Sequence, residues 1–262
     1  MHSGQRIAVF GGVYSNYLAL GAVCRDALSR GAEGLYCLGD LGAFGPHPDR
    51  VFPLLDRYRV QSIQGNYEES LSQGRTDCNC GYIDPRDNYF AQISFDYTAS
   101  KTSDGYKAWM GTLPRLLRLE FGGYRTLMVH GSPRRINEFL WYSTSPVSFL
   151  SKMIEEFSAD LLLVTHTGLH WHRRLLGNRH VVNVGAIGRP PNNGRSEAWY
   201  ALLTAGPDLE VQFVPVGYAY ETLAREMREE GLPPEFIETL CTGWWTTCLE
   251  ILPAKERAAG RY

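Results

Sequence analysis

The chain has 262 residues, 44% of them hydrophobic and 21% charged, with a formal net charge of -2. That length suits one large domain or two small ones, and the composition is that of an ordinary globule. The charge gives no bulk attraction to nucleic acid or to an anionic surface, and no apolar run approaches the roughly 18 residues of a membrane span. The start leads directly into Ile7–Phe10, too soon for a secretory signal, so a cytoplasmic location is the default expectation.

Ile7–Phe10 reads as a central strand broken by Gly11 and Gly12. Residues 17–30 carry apolar positions at helical spacing and stop at Gly31. A strand over 35–38 follows, which makes a β-α-β unit with a parallel pair. Residues 48–58 read as a second helix, 60–63 as a strand, and 71–100 as a polar excursion. A helix over 104–113 ends near Pro114. Strands over 115–120 and 124–129 flank a Gly122-Gly123 turn. A second excursion, 132–146, precedes a helix over 146–157 whose apolar stripe is Phe149, Leu150, Met153, Ile154 and Phe157. Strands are expected over 161–164, 172–176, 181–184, 198–203 and 209–216, then a helical tail over 218–230 and 234–240, with residues 255–262 polar and frayed. No linker divides the chain, so it reads as a single domain, 1–262, with a two-sheet core and helices outside.

Four strands end abruptly at a polar residue: Asp40, Asn66, His130 and His166. If these strands share one sheet, their carboxyl ends converge where open α/β sheets place their sites. Asp, Asn and two His suit Mn, Fe, Ni or Zn. Each also has an ordinary reading. Asp40 can cap backbone N–H groups, the histidines can be satisfied strand-end groups, and Asn66 can be a turn residue.

The pieces Gly39-Asp40 with Gly45-Pro46, Gly65-Asn66, Val129-His130-Gly131-Ser132-Pro133, Thr165-His166-Thr167 and Val182–Gly188 occur in an order that resembles the calcineurin-like metallophosphoesterases, of the small bacterial and archaeal phosphodiesterase type. The resemblance runs from about residue 7 to 240. It implies a two-sheet β-sandwich flanked by helices, a four-layer α/β/β/α class. It also implies two metal ions bridged by Asp40, with Asn66, His130 and His166 completing one half-site. The other ion's ligands would fall at Gly12, Tyr14 and Gly168, none of which matches. Glycine has no side chain, and a phenol with a pKa of about 10 binds a cation well only when deprotonated. The expectation is therefore one divalent transition metal, or none, with Asp40, Asn66, His130 and Tyr67 as the catalytic set. Tyr67 stands where the family has a histidine used toward the leaving group, and its pKa is poorly matched to that work.

Two functions remain open. One is a weak one-metal phosphodiesterase or phosphomonoesterase using metal-activated water. The other is a non-catalytic protein on the same scaffold that binds a phosphate- or nucleotide-bearing ligand or a partner. A small phosphorylated molecule or nucleotide is the expected partner, and a homo-oligomer is allowed. His47, Arg134 and Arg189 are candidate substrate contacts, the arginines because a guanidinium pairs bidentately with phosphate. His170 and His172 are candidate replacement ligands. Loop aromatics including Tyr82, Phe139, Trp141 and Tyr142 read as packing or as a base-stacking surface, and Trp244 and Trp245 as packing or a dimer contact. Cys24 and Cys37 read as buried thiols. Cys78 and Cys80 have C-x-C spacing but lack the second pair of a structural zinc site. Gly11-Gly12 is not a dinucleotide fingerprint and G-x-S-x-G is absent.

Overall fold

Alternating side chains set the architecture. In β1 (Arg6–Phe10) Ile7 and Val9 face one way and Ala8 and Phe10 the other, and all four are buried, so this strand is covered on both sides. The computed structural model describes residues 4–260. α1 (Tyr17–Ser29) carries the chain from β1 to β2 (Gly34–Cys37), and the two strands pair in parallel as expected. β3 (Gln61–Ser62) extends this sheet in parallel, while β9 (Ala198–Thr204) and β10 (Glu210–Val216) add antiparallel strands on the other side of β1. The order is β10-β9-β1-β2-β3.

The second sheet holds β4 (Leu116–Phe121), β5 (Tyr124–Val129), β6 (Leu161–Val164), β7 (His170–Leu175) and β8 (Arg179–Val184), in the order β4-β5-β6-β8-β7. The sheets face each other across one core that includes Ile7, Val9, Leu161, Leu163, Val182 and Leu203. Ala8, Phe10 and Tyr200 pack outward against α1. Leu127, Leu162 and Val164 pack outward against Leu150, Met153 and Ile154 of α6 (Val147–Glu156). Those three side chains sit at i, i+3 and i+4, and each buried aliphatic group of this size contributes roughly 1.5–3 kcal/mol. The result is the α/β/β/α four-layer class read from the sequence.

Several expectations need correction. Asp40 and Asn66 follow strands of one sheet, His130 and His166 follow strands of the other, so the four strands do not share a sheet. The helix expected over 48–58 is a 3-10 turn at Pro48–Arg50 followed by α2 (Phe52–Arg57). Pro53 lies in the first turn of α2, where its missing N–H costs nothing; inside a longer helix it would break the ladder. The 71–100 excursion is largely helical. It begins in α3 (Asn66–Ser72) and ends in α4 (Pro85–Lys101), capped by Asp84. The inner face of α4 includes Ser94 and Thr98, which accept hydrogen bonds from the loop N–H groups of Phe44 and Ala43. Those polar residues, set among Phe90, Ala91 and Phe95 on the buried face, hid the helix from an apolar-periodicity reading. α5 (Asp104–Met110), α7 (Tyr220–Glu229) and α8 (Pro234–Thr242) fall where helices are expected. A short α9 (Ala254–Ala259) replaces most of the frayed end, and residues 261–262 lie outside the described residues. Among the described residues no helix is long and apolar enough to cross a membrane.

Candidate metal centre

The loops after β2, β3, β5 and β6 meet at one edge of the sandwich. There the Nε2 atom of His130 lies 3.0 Å from Asn66 Oδ1, 3.0 Å from His166 Nδ1 and 3.3 Å from Asp40 Oδ2. All four residues are buried. One ligand atom from each of Asp40, His130 and His166 falls within 4.8 Å of the others. Their remaining polar atoms face away and are already bonded. His130 Nδ1 donates to the Leu38 carbonyl at 2.6 Å, and His166 Nε2 to the Cys80 carbonyl at 3.2 Å. Asn66 Nδ2 donates to the Cys78 carbonyl at 2.8 Å.

That bonding fixes the tautomers. With the outer nitrogen of each ring donating, the inner nitrogens are lone pairs, as are Asn66 Oδ1 and the Asp40 carboxylate. Four acceptors thus converge with no donor among them, the donor set of a divalent cation, and metal-ligating histidines hold their outer N–H in this way. Without a cation, a proton on His130 Nε2 is the remaining means of satisfying the group. The electrostatics agree. Burial works to lower the His130 pKa, but the Asp40 carboxylate and the Leu38 carbonyl outweigh it and hold the ring above its ordinary value. Burial, aided by the charge on His130, pushes His166 down to about 3. Burial would raise the Asp40 carboxyl, and the two rings overcome it and keep it below the usual range.

Glu68, not singled out by the sequence reading, organises the approach of the two loops of the first sheet. Its buried carboxylate accepts the N–H groups of Asp40 (2.8 Å), Leu41 (2.7 Å) and Gly65 (2.7 Å). Burial and the nearby Asp40 charge raise it to about 7 against the pull of those three donors. The signal was present as Gly65-x-x-Glu68, the spacing with which an N3 glutamate reaches back to its N-cap. The Tyr67 N–H adds a 3.3 Å contact to Asp40 Oδ1.

The three unmatched positions adjoin this cluster, and aromatic rings fill the space around them. Gly12 has φ +50, and a Cβ there would lie 2.8 Å from the Tyr14 ring. Gly168 has φ +73, and a Cβ there would lie 3.1 Å from the Trp245 ring. Two water-sized cavities remain. One of about 20 Å³ is lined by Asp40, Tyr67, Tyr82 and His166 among others. The other, of about 10 Å³, is lined by Tyr14, His166, Gly168, Arg189 and Trp245 among others.

No family model matches the chain. It is 23% identical to an uncharacterized protein of Methanocaldococcus jannaschii over 86% of this chain and 95% of that one. A hypothetical protein from Pyrococcus horikoshii superposes with a TM-score of 0.77 at 23% identity, covering 92% of this chain and 99% of that one. A metallophosphoesterase from Sphaerobacter thermophilus superposes with a TM-score of 0.71, also at 23% identity and with the same coverage. The chain has the calcineurin-like metallophosphoesterase fold.

Within that fold the other candidates divide. Arg189 reaches the site margin. Arg134 does not: it pairs with Glu138 and lies over the Phe149 ring. His47 faces Glu230 at 4.0 Å. His170 stacks on Trp199 and Phe213, and His172 bonds the His180 ring at 2.9 Å, so neither replaces a ligand. Tyr67 lines the cavity over Asp40, but its hydroxyl lies 2.9 Å from Ser94, and burial pushes its pKa well above 10. Tyr82 and Trp141 stack on Phe139, which packs on the His166 ring, so these aromatics wall the ligand. Trp245 is buried within the chain and Trp244 packs beside Gly194, so packing is what they do here. Cys78 and Cys80 are joined by a disulfide, and their carbonyls accept hydrogen bonds from Asn66 and His166 respectively. Cys24 and Cys37 are free and buried.

Proposed function

We propose that the chain is a divergent metal-dependent phosphoesterase that uses one divalent ion, Mn, Fe, Ni or Zn, held by Asp40, Asn66, His130 and His166. The observation that carries this reading is the convergence of four lone-pair groups, three of which (Asn66, His130 and His166) are fixed by donating their outer N–H to backbone carbonyls while Asp40 accepts the Tyr67 N–H. A divalent ion there supplies Lewis acidity toward a phosphoryl oxygen and toward water. The chain's own contribution is orientation and charge. Asp40 brings the one formal negative charge among the ligands, Glu68 fixes the loops that carry Asp40 and Asn66, and burial keeps bulk water from the centre. Tyr67 receives no proton-transfer role, because its hydroxyl is bonded to Ser94 and its pKa lies too high. The second half-site is degenerate in this reading. The substrate class is a small phosphorylated molecule or nucleotide, met in the cytoplasm.

The test is metal analysis of protein purified without chelator, with hydrolysis of bis(p-nitrophenyl) phosphate in the presence of Mn or Ni. Metal uptake and turnover that vanish in His130→Ala are expected. The absence of both metal and turnover above that control overturns the proposal. A second reading, a non-catalytic binder of a phosphate- or nucleotide-bearing ligand, is favoured by Gly12, Tyr14 and Gly168, which offer no second set of metal ligands, and by Tyr67, whose hydroxyl is engaged with Ser94. Tight nucleotide binding without hydrolysis selects it, and turnover lost in Asp40→Asn rejects it.

A further inference from the structure

One buried charge is not used by the metal centre. Arg189 lies in the loop after β8 and is 6% exposed. Its Nη2 donates to the Thr247 carbonyl, its plane lies 3.8 Å over the Trp245 ring and 5.1 Å over Phe44, and its Nε has no partner. A guanidinium stays charged in any environment, so burying it without a counter-charge is unfavourable. The titratable neighbours do not supply one: burial raises the pKa values of Tyr14 and Cys248, which leaves both neutral. The geometry around it is directional. The small cavity it lines also touches His166, Tyr14 and Gly168, and that cavity shares Tyr14, Phe44, Tyr82 and His166 with the one over Asp40.

We propose that Arg189 is the second fixed positive charge of this site and binds a phosphoryl oxygen of the ligand held at the Asp40–Asn66–His130–His166 centre. This rests on the metal reading of that centre. The guanidinium sits beside Gly168 and Tyr14, two of the positions where the resemblance puts the other ion's ligands. A monovalent cation on the protein therefore serves the side of the site where a two-metal enzyme has its second ion. Residues 244–252, between α8 and α9, form a strap in which Trp245 and Thr247 hold the guanidinium. A phosphate that takes Nε and Nη2 together in bidentate charge-assisted bonds competes with the Thr247 carbonyl for Nη2, and we include in the proposal the loosening of the strap that this competition brings.

The experiment measures inorganic phosphate binding by calorimetry to manganese-loaded wild type, R189Q and R189K, and amide hydrogen exchange across residues 244–252. R189Q is expected to keep one manganese per chain and to lose about tenfold or more in phosphate affinity, the loss for one or two hydrogen bonds to a charged group. R189K loses less. Phosphate speeds strap exchange in wild type, whereas the R189Q strap exchanges fast with or without it. An arginine that only supports the strap would leave phosphate affinity unchanged in R189Q, and that result overturns the proposal. Should R189Q not fold, R189K decides: weaker phosphate binding at unchanged manganese content supports the assignment, equal binding refutes it. Should wild type take up no metal, the metal reading fails separately. Phosphate binding to metal-free wild type and R189Q then decides, a difference of about tenfold keeping the role of Arg189 and equality removing it.

Discussion

Gly168 leaves clearance for the ring of Trp245, and a double-mutant cycle tests that packing. Gly168→Ala places a Cβ 3.1 Å from Cη2 and Cζ2 of Trp245, at a residue with φ +73. The left-handed backbone costs an ordinary side chain about 1–2 kcal/mol, and forcing a ring to shift in a packed region adds about 1–3 kcal/mol. Alanine recovers about 0.4–1 kcal/mol by stiffening the unfolded chain, which leaves a net loss of roughly 2–4 kcal/mol. Trp245→Ala should cost about 3–5 kcal/mol, as deletion of a buried aromatic ring does. In the double variant the ring is gone, so only the backbone cost of the alanine remains and the two losses do not add. The expected coupling is the ring-displacement cost, about 1–3 kcal/mol in the relieving direction. The assay is urea denaturation of the four proteins, compared at a common m value. Additivity within about 0.5 kcal/mol would refute the packing of Trp245 against Gly168, and with it the idea that the glycine makes room for the ring.

Asp40→Asn removes the only carboxylate among the four ligands, and manganese content should fall from one ion per chain to near zero in a matched purification; full retention counts against the assigned ligand set. Glu68→Gln keeps the shape but leaves one or more of three backbone N–H groups without a strong acceptor, so stability should drop by about 2–4 kcal/mol in denaturant titration, and manganese affinity should fall with it. A Glu68→Gln protein as stable as wild type contradicts the positioning role. The proton on His130 competes with the ion. Below the raised His130 pKa, manganese affinity should climb about tenfold per pH unit and flatten above it, with about one proton released on binding, as calorimetry in buffers of different ionisation enthalpy reports. A pH-independent affinity from 5 to 8 argues against ligation by His130. Chelation should lower the melting temperature: an ion at about 100 times its Kd contributes about 2.7 kcal/mol, roughly 5–10 °C for a chain of this size. No shift on chelation of a metal-bearing preparation would move the ion away from this buried cluster.

The strand ends were legible because a buried strand read in one dimension is an apolar run, and Asp40, His130 and His166 interrupt such runs. Sheet membership was not legible, since whether β3 and β5 share a sheet depends on pairings between distant segments. The four side chains meet despite that error, because two facing sheets bring their strand ends to one edge as well as one sheet does. Glu68 escaped notice for a related reason: two of its three N–H donors, on Asp40 and Leu41, come from a remote loop. Gly12 and Gly168 read in sequence only as missing ligands. In space they are the clearance that Tyr14 and Trp245 require, and a side chain at either position would collide with a ring. The lack of ligand atoms at Gly12 and Gly168 and the aromatic packing beside them go together, and the guanidinium of Arg189, whose Nε has no partner, lies next to that packing. Keeping a buried cation there is unfavourable unless an anion comes to it, and the adjoining cluster is where a phosphoryl group would be held.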